Sequence, residues 1–209
     1  PLLPVLDTRI PRLVLTQALK RSPINVRALA LIPKTQNPKG LALFLAASLK
    51  LWKLGLASER PVVATMLERL IALRSTGTSN WCWGYSFPWQ TRTLIVPRGT
   101  PNLVCTTFVA NALLDAYEAG VDTRCLDMAA SAADYILRDL YRTGADGFAG
   151  FSYPLPEMPA HVHNANLLGA ALLARVARLT GETRFVQPAL TVARYSAGRQ
   201  REDGSWLYS

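Results

Sequence analysis

The residues best suited to acid–base chemistry lie close together in the sequence. The chain has two histidines, and both stand in the stretch His161-Val162-His163-Asn164. Histidine titrates near neutral pH, so it can accept or donate a proton during a reaction. Proton abstraction beside a uronate carboxylate would need such a base, together with a cation that neutralises the carboxylate. We therefore predict three catalytic residues: His163 as the acid–base group, Tyr153 as its partner and Arg92 as the cation that binds the carboxylate.

A structural role for the histidines is the alternative, because Asn164 is a common helix-capping residue and His163 would then complete the cap. The H-x-H spacing is a weak metal motif, since no suitable third ligand lies in the same stretch. The sequence also lacks a glycine-rich phosphate loop, a G-x-S-x-G motif and an H-E-x-x-H motif. We predict neither a metal nor a cofactor.

Aromatic residues recur in three loops of similar composition. Residues 84–89 read G-Y-S-F-P-W, residues 150–155 read G-F-S-Y-P-L, and residues 203–208 read D-G-S-W-L-Y. Flat rings stack on the apolar faces of sugars, while Asn, Gln and Arg can hydrogen-bond hydroxyls and carboxylates. The alternative is that loop rings fill gaps between helices, which we favour for Trp206. The predicted ligand-binding residues are Trp81, Trp83, Tyr85, Trp89, Gln90, Asn102, Asp146, Phe151, His161, Asn164 and Trp206.

Amino-acid composition limits the partners and the cell compartment that we expect for this protein. The chain has 209 residues, of which 50% are apolar, and carries a net charge of +9. That charge indicates an acidic partner, which we predict to be an oligo- or polysaccharide. The alternative explanation of the charge is an arginine-rich genome. No run of Lys or Arg resembles a nucleic-acid-binding arm, and the apolar run at residues 41–49 is too short to span a bilayer. The three cysteines, odd in number, predict reduced thiols and a cytoplasmic location.

Helix caps and stops predict the elements that position these residues. Asn37 and Asn102 each precede a helical stretch that ends at a glycine 18 residues later, and Asn164 precedes one that ends 17 residues later. Each is followed by a second helical stretch, over residues 60–74, 123–141 and 183–199. The three starts are 65 and 62 residues apart, which matches the 66-residue offset between the first two aromatic loops. A further helix, capped by Asp7, is predicted over residues 7–20 and is followed by a loop.

The two helices of each unit differ in polarity. Residues 102–119 are apolar or small nearly all round, which is typical of a helix packed on every side. Residues 123–141 instead carry a polar face, spaced as in Asp127, Ser131, Asp134 and Arg138. The sequence therefore predicts an all-α fold in which inner–outer hairpins, at about 37–75, 102–142 and 164–200, form one domain. Such hairpins stack into an α-solenoid or close into an α/α toroid.

These hairpins, with the loop Gln200-Arg201-Glu202-Asp203-Gly204-Ser205-Trp206, resemble the α/α-toroid superfamily and its glutamine–tryptophan motif. That group includes terpenoid cyclases and protein prenyltransferases, and six-hairpin glycosidases and polysaccharide lyases share the architecture. Residues 81–115 and 163–170 look most like uncharacterised bacterial toroids encoded among polysaccharide-biosynthesis genes. Because the resemblance implies six hairpins in a ring, we expect this chain to form part of one.

The resemblance leaves three classes of function open. The first is a carbohydrate-active protein of bacterial polysaccharide metabolism that binds an anionic glycan at the aromatic loops, acting as a lyase, an epimerase or a hydrolase. A hydrolase would need two facing carboxylates, and the loop acids Asp146 and Asp203 stand in ordinary D-G turns. The second is a non-enzymatic helical scaffold. The third is a terpenoid-cyclase or prenyltransferase relative, although the aspartate-rich D-x-D-D motif and a recognisable zinc site are both missing. The oligomeric state stays open.

Overall fold

The computed structural model describes residues 8–25, 32–56, 60–90, 94–158 and 161–207, and the chain divides into two compact units. The first unit comprises residues 1–35 and 89–95. It contains helix α1 (Arg9–Arg21), which begins after Thr8 and has no buried residue. The predicted cap for this helix, Asp7, lies outside the described residues. Strand β1 (Trp89–Gln90) pairs with strand β2 (Ile95–Val96).

The second unit, residues 36–88 and 96–209, contains the three helical hairpins. Each inner helix is followed by an outer helix at the predicted period. The pairs are α2 (Pro38–Lys53) with α3 (Arg60–Ala72), α4 (Leu103–Glu118) with α5 (Arg124–Tyr135), and α6 (His163–Thr180) with α7 (Val186–Ala197). The predicted all-α class is therefore confirmed.

Two of the three predicted asparagine caps are confirmed. The side chain of Asn37 accepts a hydrogen bond from the Lys39 amide at 3.1 Å, and Pro38 follows it as the first helical residue. Asn102 accepts from the Cys105 amide at 2.9 Å. The prediction for Asn164 is wrong, because the cap position is Val162, two residues earlier, and no side chain caps α6.

In the second hairpin, burial distinguishes the inner helix from the outer one, as the polarity of their sequences predicted. Ten of the sixteen residues of α4 are buried, and Glu118 is its one exposed residue. Helix α5 exposes Asp127 and half-buries Ser131 and Asp134, so one face remains polar. The inner helices pack in chain order, α2 against α4 and α4 against α6, and α5 lies against both α4 and α6.

The end of the second hairpin departs from the predicted helix. Helix α5 passes into one π-helical turn over Ile136–Leu140, and strand β3 (Tyr141–Thr143) follows. Strand β3 pairs antiparallel with β4 (Ala149–Phe151). The Phe151 amide donates to the side chain of Asn166 at 2.8 Å, which ties this sheet to the first turns of α6.

Two further features of the described chain bear on the sequence predictions. All three cysteines are unpaired and buried. In the part of the chain that the structure describes, no helix combines the length and the apolar composition of a bilayer span.

Candidate functional site

The loop after α3 is fixed to the start of α4 by its backbone. The hydroxyl of Thr106 accepts from the Trp83 amide at 3.0 Å and donates to the Trp83 carbonyl at 3.2 Å. The Gly99 amide donates to the Tyr85 carbonyl at 2.8 Å. Only glycine fits at position 84, because a Cβ there would lie 2.1 Å from the Thr100 carbonyl oxygen. These contacts hold Tyr85 near the N-terminal end of α4, an end that we call the mouth.

The tyrosine cluster, formed by Tyr85, Phe87 and Tyr153, lies at this mouth. The rings of Tyr85 and Phe87 are stacked, with centroids 5.8 Å apart and an angle of 6° between their planes. Burial, followed by the nearby Tyr153 hydroxyl, raises the pKa of Tyr85 to about 12. The Tyr85 hydroxyl is therefore protonated at neutral pH and suited to hydrogen bonding. Phe87 is 44% exposed and leaves part of its ring free for a ligand.

Positive charge accompanies the cluster. The Lys39 ammonium, in the first turn of α2, lies 4.5 Å from the centre of the Phe108 ring. Burial raises the pKa of the Cys105 thiol to about 12, and the charge of Lys39 acts in the opposite direction, so Lys39 and Cys105 are near neighbours. Helix N-termini themselves favour anions through their exposed amides and dipoles. The mouth is thus electropositive.

The histidine cluster is a separate group, formed by Phe148, His161, His163 and Tyr195. The Phe148 ring lies 5.1 Å from that of His161 and 5.2 Å from that of Tyr195, in the second case edge to face. The His163 ring lies 6.1 Å from that of Tyr195. The cluster therefore joins the β3–β4 turn, the start of α6 and the end of α7.

His163 is held by the outer helix of its own hairpin. Its Nδ1 lies 3.2 Å from the hydroxyl of Ser196, which is fully buried. Burial lowers the pKa of His163, and the charges of Arg199 and His161 lower it further. The imidazole is accordingly neutral at pH 7, the form that can act as a base.

The structure brings together some of the predicted site residues. Tyr85 lies beside Tyr153, and His161 lies beside His163. The described contacts of His163 lead to α7, whereas those of Tyr85 lead to Phe87 and Tyr153. His163 and Tyr153 therefore have different described neighbours, and their action on one substrate stays a prediction. Its third member, Arg92, lies outside the described residues.

Three predicted ligand-binding residues belong to the core instead. Trp83 is fully buried, and its indole nitrogen donates to the Leu70 carbonyl at 2.8 Å. Phe151 is also fully buried, so neither ring has surface to offer a ligand. The amide oxygen of Asn102 is taken up by the α4 cap, and its side chain is 1% exposed. All three therefore have structural roles in the described chain: the two rings pack in the apolar core, and Asn102 caps a helix.

Trp81 and Trp206 are partly exposed but already have partners. The Trp81 ring lies 4.6 Å beneath the Arg74 guanidinium, and its amide donates to Ser131 at 3.0 Å. The Trp206 indole donates to the Ser196 carbonyl at 2.7 Å, at the end of α7. This contact agrees with the gap-filling role that the sequence favours for Trp206.

The remaining predicted residues lie elsewhere. Asp146 accepts from the Phe148 amide at 3.1 Å, as expected for a residue that shapes the β3–β4 turn. Asn164 is exposed in the first turn of α6. Trp89 and Gln90 belong to the first unit, where the Gln90 amide nitrogen donates to the Arg9 carbonyl at 3.4 Å.

Several residues at the two clusters were not predicted. Phe87 stands inside the first aromatic motif, and its alternation with Tyr85 was the signal that it shares an end with that ring. Lys39 stands two residues after the predicted Asn37 cap, so the sequence also indicated that it lies in the first turn of a helix. Tyr195 and Ser196 carried no such signal, because nothing local indicates that the end of α7 meets the start of α6.

Metal binding finds no support in the described residues. Across residues 8–25, 32–56, 60–90, 94–158 and 161–207, no three His, Cys, Asp or Glu side chains are grouped as a metal site would require.

Comparison with known proteins identifies the fold. No family model matches the sequence, and no curated protein matches it at a significant level. The structure is similar to the crystal structure of a D-mannose isomerase, with a TM-score of 0.59 and 14% sequence identity over 85% of this chain and 47% of that one. A glycoside hydrolase family 76 mannosidase from Bacteroides thetaiotaomicron has a TM-score of 0.47 and 14% identity over 81% of this chain and 48% of that one.

The first of these likenesses shows the fold alone. The isomerase has an α/α-toroid fold of the six-hairpin glycosidase-like type, and the three hairpins of this chain form part of such a toroid. The chain spans about half the length of both solved structures. The finer resemblance, to toroids of bacterial polysaccharide-biosynthesis clusters, stays a prediction.

Proposed function

We propose that the protein is carbohydrate-active and binds a sugar at the tyrosine cluster. The observation that carries the proposal is the stacked Tyr85–Phe87 pair, half-open to solvent beside Tyr153 at the mouth. A sugar ring would stack on the Phe87 face, and the two tyrosine hydroxyls would hydrogen-bond its hydroxyls. The name of the D-mannose isomerase, a carbohydrate-processing enzyme, supports the same class of ligand.

The ligand that we propose is an anionic glycan of bacterial polysaccharide metabolism. Lys39 supplies a positive charge in the first turn of α2, and the N-termini of the inner helices add partial positive charge. The net charge of +9 would attract an acidic polymer to the protein as a whole.

His163 is the acid–base group in this proposal. Its pKa is lowered by burial, so the imidazole is neutral and able to take a proton near neutral pH. The buried Ser196 hydroxyl fixes the ring through Nδ1, which leaves Nε2 for proton transfer. Proton abstraction beside a carboxylate is the step that a uronate lyase and an epimerase share, and Tyr153 and Arg92 remain the proposed partners.

A non-enzymatic scaffold is the second candidate. The observation that favours it is the inward packing of Trp83 and Phe151, which removes two of the predicted ligand-binding rings from the surface. A scaffold would bind a protein or an acidic polymer without a defined sugar subsite. The two candidates therefore differ in whether single sugars bind.

Calorimetric titration with uronic acids, matched neutral sugars and their oligomers tests the proposal. We expect Phe87→Ala to weaken binding by roughly three- to ten-fold, because a ring contact of this kind contributes about 0.5–1.5 kcal/mol. Phe87→Tyr is the matched control and should retain the affinity, since it keeps the ring. Phe87 is partly exposed, so both variants should fold.

Three results would count against the proposal. Binding of no sugar at all would favour the scaffold. Equal affinity of Phe87→Ala and the wild type would place the ligand away from the tyrosine cluster. Tighter binding of neutral than of acidic sugars would be compatible with a sugar site at the tyrosine cluster but would contradict the proposal that its ligand is anionic.

A further inference from the structure

Two buried polar atoms close to the tyrosine cluster have no hydrogen-bond partner among the described residues. They are the side-chain nitrogen Nδ2 of Asn102 and the hydroxyl oxygen of Ser152. Each residue is only 1% exposed, so bulk solvent does not reach either atom. A buried polar atom without a partner costs free energy, and native structures contain few of them. Such atoms mark a place where a bound ligand can supply the missing hydrogen bond.

The two ends of the Asn102 carboxamide have different surroundings. Its oxygen caps α4 by accepting from the Cys105 amide, whereas its nitrogen stays unpaired. Burial, Tyr153 and Cys105, in that order, raise the pKa of Tyr85, so Cys105 is a near neighbour of Tyr85. Since Asn102 is bonded to Cys105 in the first turn of α4, its unpaired nitrogen lies at the mouth.

The internal repeat indicates where Ser152 lies. Ser152 and Ser86 occupy equivalent positions, 66 residues apart, in the two aromatic motifs. The Ser86 hydroxyl donates to the carbonyl of Gln36, the residue immediately before the Asn37 cap of α2. Through this bond, the first aromatic loop contacts the start of the inner helix of its own hairpin. The repeat therefore predicts that Ser152, in the second loop, faces the start of α4.

Packing beside Gly169 of α6 agrees with this prediction. The side chains of Phe151 and Leu103 lie 2.8 Å and 3.1 Å from the position that a Cβ would take at Gly169. Ser152 directly follows Phe151 in the chain. Asn102 directly precedes Leu103. The two residues with unpaired atoms therefore lie at the same end of the second hairpin.

The chemistry around the two atoms favours a carboxylate as their ligand. An amide nitrogen only donates hydrogen bonds, and a serine hydroxyl donates as well as accepts, so one carboxylate can accept from both. Lys39, a near neighbour of Cys105, adds a positive charge. The N-terminus of α4 adds partial positive charge. A neutral sugar hydroxyl would use the hydrogen bonds but would gain little from the charge.

We propose that Asn102 Nδ2 and the Ser152 hydroxyl bind the carboxylate of the anionic glycan. This inference rests on the proposed function and specifies the carboxylate subsite of its ligand. Neither atom is exposed, so side chains of the mouth must shift for the carboxylate to enter. The free protein thus keeps two buried polar atoms that the ligand satisfies, and a cost in stability of this kind is typical of functional sites.

Calorimetric titration with glucuronate, galacturonate and mannuronate, and with glucose, galactose and mannose as their neutral counterparts, tests the subsite. Asn102→Ser keeps an oxygen that caps a helix but removes the nitrogen, and Ser152→Ala removes the hydroxyl. Each variant should weaken uronate binding by roughly ten-fold or more, as loss of a hydrogen bond to a charged group does. Affinity for the matching neutral sugar should stay within about two-fold of wild type.

The matched control for the cap is Asn37→Ser. Asn37 caps α2 as Asn102 caps α4, but it is only half-buried, and its nitrogen is not among the buried unpaired atoms. The change therefore removes the same group from an equivalent position outside the proposed subsite. Uronate affinity should stay within about two-fold of wild type.

Urea unfolding supplies a test that needs no ligand. Ser152→Ala should leave the equilibrium constant for unfolding unchanged or lower, because it removes a buried hydroxyl that has no partner in the free protein. Ser86→Ala should raise that constant by roughly three- to ten-fold, since the Ser86 hydroxyl donates to Gln36. A rise in Ser152→Ala as large as that in Ser86→Ala would mean that the Ser152 hydroxyl stabilises the fold, which would overturn the proposal.

The outcomes separate this inference from the proposed function. If Phe87→Ala weakens sugar binding while Asn102→Ser and Ser152→Ala do not, the sugar site stands and the carboxylate subsite is wrong. Equal losses for uronates and for neutral sugars would contradict the assignment to a carboxylate. A wild-type protein that binds none of these sugars would refute the inference and the proposed function together.

Discussion

Trp83 shows how one side chain of an aromatic loop can serve the fold. Four tryptophan and tyrosine rings alternate with small residues between positions 81 and 89. The backbone of Trp83 is bonded to Thr106, and this registration turns its indole inward to the Leu70 carbonyl. The next ring, Tyr85, then lies at the mouth. The ring that stabilises the loop and the tyrosine whose hydroxyl is proposed to bind sugar are therefore two residues apart.

Replacement of Trp83 should lower stability before it affects any binding. We expect Trp83→Ala to reduce the free energy of unfolding by about 3–5 kcal/mol, because it leaves a large cavity. Trp83→Phe should cost about 1–3 kcal/mol, since the Leu70 carbonyl would stay buried without its donor. Urea unfolding measures both. Trp206→Phe is the control: its indole also donates to a carbonyl, but the side chain is 37% exposed, so the loss should be smaller. Equal losses at both positions would contradict the assigned role of Trp83.

The lowered pKa of His163 links stability to pH. Burial is the larger cause, followed by the charges of Arg199 and His161. The unfolded chain therefore takes up this proton at a higher pH than the folded protein does. Consequently the folded state loses stability as the pH falls below the ordinary histidine pKa of about 6.5, and the loss ends once the folded value is passed.

His163→Gln should flatten this part of the pH profile. Unfolding measured from pH 8 down to about 5 covers the range in which histidine titrates. The matched control is His161→Gln, which should retain most of the slope because the burial of His163 is unchanged. A wild-type profile with the opposite slope, or an unchanged slope in His163→Gln, would show that His163 is not the titrating group.

At the scale of elements, the sequence predicted what local rules determine. Asn37 and Asn102 cap α2 and α4 because a short side-chain oxygen satisfies a free helix amide, and such a signal needs no distant partner. Gly181 ends α6 in the left-handed conformation for an equally local reason. The same rule failed at Asn164, because α6 begins at His163 and Asn164 already lies inside its first turn.

Elements that depend on distant contacts were not predictable. The polar pattern of residues 123–141 continues a helix, yet the chain leaves it through a π-helical turn and enters β3. The β3–β4 pair is held from outside, by Asn166 of α6. Ser196 likewise meets His163 only because α7 returns along α6. For the candidate site, the sequence therefore predicted the aromatic composition, but it did not predict which rings group together.

Charged side chains also join elements that are distant in sequence. Arg175 of α6 lies 2.5 Å from Asp115 and from Glu118 of α4, and Arg178 lies 2.8 Å from Glu118. Arg178 and Arg175 together lower the pKa of Glu118. This network lies towards the C-terminal ends of α4 and α6, whereas the tyrosine cluster lies at the N-terminal ends. The pairs help to fix the register of the inner helices, and hence the positions of the residues at the mouth.

At the scale of the whole molecule, net charge acts on the proposed contact with a glycan. The chain carries +9, so an acidic glycan is attracted to the protein from a distance, whereas a neutral sugar is not. Salt screens this attraction.

Raising the salt concentration should therefore weaken glycan binding. Calorimetric titration with an acidic oligosaccharide at about 0.01 M and about 0.5 M sodium chloride brackets a several-fold change in screening length. The neutral analogue of the sugar is the control and should show little dependence on salt. A salt-independent affinity for the acidic sugar would mean that its carboxylates do not meet the positive charge at the mouth.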